Sequence, residues 1–357
     1  MRKSSLAAVS LLLPLAAAVA GCRQQPPPQP RPSQEVAKVD EARLKMFAPL
    51  PDVVQAASGP ASQELVDLGR MLYYEKRLSK SHELSCNSCH DLAAFGVDGQ
   101  PTSDGHKGQK GDRNAPTVYN AAGHVAQFWD GRAPDVEAQA KGPVLNPIEM
   151  AMPSEHFVIS VLESMPGYVE AFKKAFPNDP KPITYDNVGK AIGAFERKLV
   201  TPSRWDAFLK GDQNALTAEE KAGFKMFTDA GCQTCHAGAL VGGMSYQKIG
   251  AVKPFPRAED PGRFKVTKAE ADRAVFKVPS LRNIEKTGPY FHDGKTATLE
   301  AAVRDMGEYQ LGKTLTDQEV GQIVVFLRTL TGKLPTDYIK EPALPPSTAK
   351  TPKPDLR

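Results

Sequence analysis

Cysteine is scarce in this chain, and none is left over for a structural disulfide. Five occur in 357 residues: Cys22 at the end of an apolar leader, and the pairs Cys86/Cys89 and Cys232/Cys235. Four thiols in an oxidising compartment can cross-link, but the C-x-x-C spacing of both pairs argues for another use. Long apolar runs are missing beyond the leader: nothing later approaches the roughly 18 to 20 residues that a membrane-spanning helix needs. Alternating strand-like runs are nearly absent, which points to an all-α fold with long loops. An excess of one charge is missing too, since 45 Lys and Arg face 41 Asp and Glu. That balance gives no reason to expect a nucleic acid or an anionic membrane as partner. With 41% hydrophobic and 24% charged residues the chain is not intrinsically disordered, and it is long enough for two domains.

What is present begins with a leader. Arg2 and Lys3 precede an apolar run from Leu6 to Ala20, and small residues follow before Cys22, the order of an export signal. Its end, Val19-Ala20-Gly21-Cys22, is similar to a bacterial lipoprotein signal, whose cysteine is lipidated and becomes the new N-terminus. Ordinary secretion with cleavage nearby is the alternative. The expected organisation is a signal peptide at 1–21 and a linker at 22–60 that opens with the proline-rich "RQQPPPQPRPSQ". A tail at 334–357 is expected to be poorly ordered, packing in part on the fold. The mature protein is expected in the periplasm, anchored to a membrane only through lipidated Cys22.

Between these ends the periodicity is helical. Thr217-Ala-Glu-Glu220 and Thr316-Asp-Gln-Glu319 read as capping boxes. Val188, Ile192, Phe195 and Leu199 fall at helical steps, and 62–75 and 155–176 also read as helices, the second broken at Pro166. An internal repeat is superimposed on this pattern. Pro116-Thr-Val-Tyr-Asn120 matches Pro279-Ser-Leu-Arg-Asn283, and Phe128-Trp-Asp-Gly-Arg132 matches Phe291-His-Asp-Gly-Lys295, both at an offset of 163 residues. The cysteine pairs lie only 146 apart, so the second copy carries an insertion of about 17 residues, placed roughly at 245–274. Two duplicated domains are expected, 61–200 and 201–333, with the seam near Leu199 to Trp205.

Each copy contains C-x-x-C-H: "CNSCH" at 86–90 and "CQTCH" at 232–236. The pattern attaches a c-type haem, the two thiols reaching the vinyl groups and the histidine becoming the proximal iron ligand. One occurrence is compatible with a zinc or redox motif. Two, in an exported and duplicated helical chain with no spare cysteine, predict two covalent haems with His90 and His236 as proximal ligands. In the second copy Met306 is the expected distal ligand, whereas Met244 follows His236 too closely to cross the ring. Methionine ligation raises the potential, so this haem is expected to be the easily reduced one.

The repeat equivalent of Met306 is Pro143, so the first copy has no matching methionine. Met150 and Met152 are nearby but off the repeat. His106 is the candidate, on the loop "SDGHKGQKGDRNAPT", whose Gly105, Gly108 and Gly111 would let it reach the iron and leave. His82, His124 and His156 lack such a context and read as surface or structural residues. Trp129 occupies the repeat position of His292; taken singly it reads as core, and Gln139 and Glu149 as ordinary polar residues.

These stretches, with "QFWDGRAPDVEAQAKGPVLNPIEM", "TGPYFHDG" and "VRDMG", occur in an order that resembles the bacterial dihaem cytochrome c peroxidases across 61–333. The resemblance implies all-α cytochrome-c-like domains and the reduction of hydrogen peroxide to water. Electrons would come from a small periplasmic cytochrome c or copper protein. They would enter at the C-terminal His236/Met306 haem and pass to the N-terminal peroxidatic haem, whose His106 ligand is released on activation. It further implies Trp129 on the electron path, Gln139 and Glu149 in the distal pocket, and Glu149 as acid and base in splitting the O–O bond. His292 would lie near the second haem. A calcium ion held by the Asn114 side chain and the carbonyls of Thr287 and Pro289 is implied as well, as is a homodimer. One rival is a MauG-type enzyme that oxidises residues of a partner protein. That type carries tyrosine where this chain has Met306, although Tyr309 is close by. The other is a dihaem electron carrier, for which Gln139 and Glu149 would have no use.

Overall fold

The computed structural model describes residues 39 to 356, so the expected signal peptide, the lipidation candidate Cys22 and the expected linker up to residue 38 lie outside the described residues. Local sequence accounts for the principal helices. Ser62 accepts a hydrogen bond from the Leu65 amide and starts the helix Gln63–Tyr74. Thr217 with Glu220, and Thr316 with Glu319, close the predicted capping boxes of Ala218–Ala230 and Asp317–Arg328. The segment around Pro166 divides into Glu155–Glu163 and Pro166–Ala175, with the proline at the first helical position, where its missing N–H costs nothing.

Packing pairs a helix that precedes each cysteine motif with one that closes the same half. Gln63–Tyr74 crosses Tyr185–Glu196, and Ala218–Ala230 crosses Asp317–Arg328. A glycine allows each close approach: a Cβ on Gly69 would lie 1.8 Å from the Ala191 carbonyl oxygen, and one on Gly223 would lie 2.3 Å from that of Gln322. Around these crossings form two apolar cores, one including Leu68, Tyr73, Phe172, Ile192 and Phe195, the other Trp205, Phe224, Phe227 and Phe326. Met150 and Met152 are buried in the first core.

The repeat offset recurs in the backbone. Asn120 and Asn283 both have positive φ, 60° and 61°, as do Phe128 and Phe291, 65° and 68°. The isolated bridges Gln127 to Ala133 and Tyr290 to Thr296 are equivalent, as are the 3-10 turns Ala121–Gly123 and Ile284–Lys286. At the seam the side-chain amides of Asn120 and Asn283 both donate to the Thr201 hydroxyl, at 2.9 Å each.

The expectation of an all-α fold needs amendment to mostly helical. A two-stranded antiparallel sheet pairs β1, Tyr246–Lys248, with β2, Val275–Lys277, and bounds the predicted insertion. The strands arise where Val275, Phe276 and Lys277 are all buried. The tail, for which packing in part on the fold is expected, is described up to residue 356. It packs along the first half, the Tyr338 hydroxyl donating to the Phe195 carbonyl at 2.8 Å and the Asp355 amide to the Lys80 carbonyl at 2.9 Å. Carbonyls of the tail find donors on the first half, the Tyr74 hydroxyl donating to that of Ile339 and the Arg77 guanidinium to that of Pro345.

Candidate haem sites and distal pocket

In the first half, Ser85 and Ser88 form a capping box around the single helical turn Cys86–Cys89, which presents His90 at its end. The Tyr73 hydroxyl donates to the His90 carbonyl at 2.7 Å. Burial pushes the His90 imidazole below its ordinary pKa, with the main chain of Gly96 and Pro116 opposing, so the neutral, iron-binding form is favoured. Those main-chain groups do not close to a hydrogen bond, and His90 Nδ1 is left buried without a partner. Burial likewise raises the Cys86 and Cys89 thiols, and all four cysteines of the two motifs are free.

His106 is 5% exposed, and neither ring nitrogen has a hydrogen-bond partner. Each buried unsatisfied polar atom costs about 1 to 3 kcal/mol, so the site is incomplete without a group that coordinates or bonds the ring. The loop seats His106 against the Ile148–Glu149 main chain: its amide donates to the carbonyls of Ile148 and Glu149 at 2.9 and 2.7 Å. Gly105 makes this contact possible, since a Cβ there would lie 1.9 Å from the Ile148 carbonyl oxygen. Burial raises the Glu149 carboxyl above its usual range, against the opposing pull of Arg132 and Asn146. Gln139 is half-buried on the helix Val136–Leu145, and no hydrogen bond joins it to Glu149 or His106 among the described residues.

In the second half, Gly231, with φ 99°, ends the helix Ala218–Ala230 and turns the chain into Cys232–Thr234. Burial brings His236 down to about 4, opposed by the main chain of Val241 and Pro279. Pro279 thus stands to His236 as its repeat partner Pro116 stands to His90. A cavity of about 230 Å³ opens here, lined by Cys232, Cys235, His236 and Met306 with apolar walls that include Phe227 and Leu327. Met306 begins a π-helical turn, Met306–Gln310, a form that concentrates at functional sites. Tyr309 does not line this cavity; its ring packs on Phe255, and its carbonyl accepts from Val252 and Lys253. Met244 is 58% exposed and does not line the cavity.

At the edge of this cavity the Trp129 indole donates to the Asn114 carbonyl at 2.9 Å, the Asn114 amide donates to the His292 carbonyl at 2.8 Å, and the Trp129 and His292 rings meet edge to face at 6.4 Å. Trp129, His292, Asn114, Thr287 and Pro289 all border the His236/Met306 cavity. The segment from His106 to Asn114 is therefore tied directly to that cavity. Arg113 adds to the tie, reaching Asp130 at 2.6 Å and Asp260 through two bonds of 2.6 and 2.8 Å. His82 and His124 are half-buried and His156 is exposed; His124 lies at the cavity wall, its Nδ1 3.0 Å from the Lys277 ammonium. Sequence reading missed Arg113 and Lys277. A lysine inside the apolar stretch "AVFKVPS" was the available signal.

Buried histidine nitrogens without partners, beside free cysteine pairs and an apolar cavity, fit two covalent c-type haems and define a dihaem protein. The profile of the di-haem cytochrome c peroxidase family matches residues 63–214. The chain is 48% identical to the cytochrome c551 peroxidase of Pseudomonas aeruginosa over 87% of its length and 90% of that protein. It is 52% identical to that of Nitrosomonas europaea, over 82% and 87% respectively. The crystal structure of a MauG-like protein associated with microbial copper homeostasis superposes with a TM-score of 0.74 at 28% identity, covering 82% of this chain and 97% of that one. The chain belongs to the bacterial di-haem cytochrome c peroxidase family. It is an oxidoreductase that reduces hydrogen peroxide.

Proposed function

We propose that the peroxide site is the His90 side of the first half, closed by His106 at rest and worked by Glu149 once His106 leaves. The observation that carries this reading is the buried His106 ring with both nitrogens unpartnered, hung by its amide from the main chain of Glu149. Release of the ring and exposure of the acid are then one movement. The haem supplies the iron at which hydrogen peroxide takes two electrons and two protons to become two waters. Glu149 Oε accepts the proton of the near peroxide oxygen and returns it to the departing one, and its raised pKa suits a carboxyl that must hold a proton in passing. Gln139 holds the outer oxygen in place.

His236 and Met306 would ligate the electron-entry haem, with Trp129 and His292 bridging the sites. The repeated turns and bridges support two duplicated cytochrome-c-like domains, 61–200 and 201–333. Asn114, Thr287 and Pro289 offer oxygens around one cavity, and calcium there would stiffen the loop that carries His106. The leader supports a periplasmic location with a small cytochrome c or copper protein as donor. Lipidation at Cys22 and a homodimer complete the reading.

Half-reduction is the test. A donor that reduces only the higher-potential haem is added, the spin state of the other is followed, and then peroxide is supplied, with and without a calcium chelator. The reading expects loss of six-coordination at the first site followed by turnover, both slowed by the chelator. Persistent six-coordination while peroxide is consumed would refute the role given to His106, and chelator-independent opening would refute that given to calcium.

A further inference from the structure

Lys277 ends β2 with 6% exposure, its amide donating to the Trp129 carbonyl at 2.8 Å. Its side chain borders the cavity that also holds His236. Among the described residues no carboxylate pairs with it: the hydrogen-bond partner of the ammonium is His124 Nδ1, at 3.0 Å. Burial accordingly lowers it to about 8, with no acidic neighbour opposing. An enclosed cation without a counter-ion is unfavourable, and the anion has to come from whatever fills the cavity. Lys248, also at the cavity wall, is exposed and free to stay hydrated.

His124 extends the argument. An ammonium has only donors, so it must donate to Nδ1, which leaves the imidazole proton on Nε2. That Nε2 is buried without a partner, and burial followed by the Lys277 charge holds the ring neutral. Gly243, with φ 78°, makes room for the ring, for a Cβ there would lie 2.6 Å from His124 Cδ2. Two donors side by side at the wall of this cavity, one cationic and one neutral, form a carboxylate-binding pair.

We propose that Lys277, seated by His124, is the counter-ion of a propionate of the second haem and through that charge raises the haem's reduction potential. The proposal rests on the reading of this cavity as the His236/Met306 site. A fixed positive charge favours the reduced haem, whereas an uncompensated propionate favours the oxidised one.

The experiment is a spectroelectrochemical titration of the two-haem enzyme and its K277Q and K277R variants. The wild type must first show two covalent haems and the charge-transfer band of methionine-ligated ferric iron. Absence of that band overturns the ligand reading of the site, independently of the propionate. With the band present, K277Q is expected to lower the equilibrium constant for reduction of the second haem at least tenfold, or 59 mV for a one-electron couple. K277R should stay within threefold of wild type. An unchanged K277Q, or an equal fall in both variants, overturns the proposal, the latter by showing a packing effect. If K277Q does not load haem, H124L decides by the same titration: a fall of threefold or more supports the pair, and no change overturns it.

Discussion

Replacing Asp260 with Asn tests whether the loop that carries His106 is moored to the second half of the chain. Asp260 lies within the insertion and grips Arg113 through two bonds of 2.6 and 2.8 Å, the side chains only 14% and 11% exposed. Burial alone would raise the Asp260 carboxyl. The Arg113 guanidinium and the Gly262 amide outweigh it and hold the group at about 2, against an ordinary 3.8. At about 1.4 kcal/mol per pH unit this difference amounts to about 2 kcal/mol at neutral pH. Complete rupture of a buried pair costs about 3 to 5 kcal/mol, but Arg113 keeps Asp130 at 2.6 Å and is not left uncompensated, so the smaller figure applies. Because the folded-state value is depressed, the contribution is present above the unfolded value and is lost as pH falls through about 2. By pH 3 about half of it, roughly 1 kcal/mol, remains. Denaturant unfolding of oxidised wild type and D260N at pH 7 and pH 3 measures both figures. The ferric spectrum of D260N should also show a larger high-spin fraction at the first haem, since Arg113 and His106 share one loop. A loss below about 0.5 kcal/mol at pH 7, or the same loss at both pH values, would refute the mooring, the thresholds following from this linkage.

Two further outcomes follow from the distal pocket. Glu149→Gln should lower peroxide turnover by about a hundredfold to ten-thousandfold, the usual loss for a general acid–base group, with the ferric spectrum of the first haem unchanged; near-normal turnover would remove Glu149 from the chemistry. Gly105→Ala should be unable to seat His106, because the added methyl would meet the Ile148 carbonyl at 1.9 Å. A stability cost of about 1 to 3 kcal/mol and a high-spin oxidised first haem are expected, read by denaturation and absorption, and a wild-type spectrum would show that the loop does not depend on that contact.

How much was legible in advance depends on the range of each interaction. Haem attachment was fully readable, because two thiols and a histidine must be adjacent in the chain to serve one ring. The capping boxes were readable for the same reason, their hydrogen bonds spanning three residues. The missing methionine opposite Met306 was readable from the repeat offset, and it drew attention to His106 before any relative was considered. The insertion at 245–274 was read from the repeat offsets and the tail from composition, and neither can show that β1 and β2 close the first or that tyrosine and arginine side chains hold the second.

By itself, the sequence determined the two haem motifs, the principal helices and the list of candidate ligands, all set by residues near one another along the chain. Only the tertiary structure decided the partners: Lys277 with His124 across 153 residues, Arg113 with Asp260 across 147, and His106 with the main chain of Glu149. These contacts exist because the two halves fold onto each other and bury charges and imidazoles that must find compensation inside, a demand that no local pattern encodes.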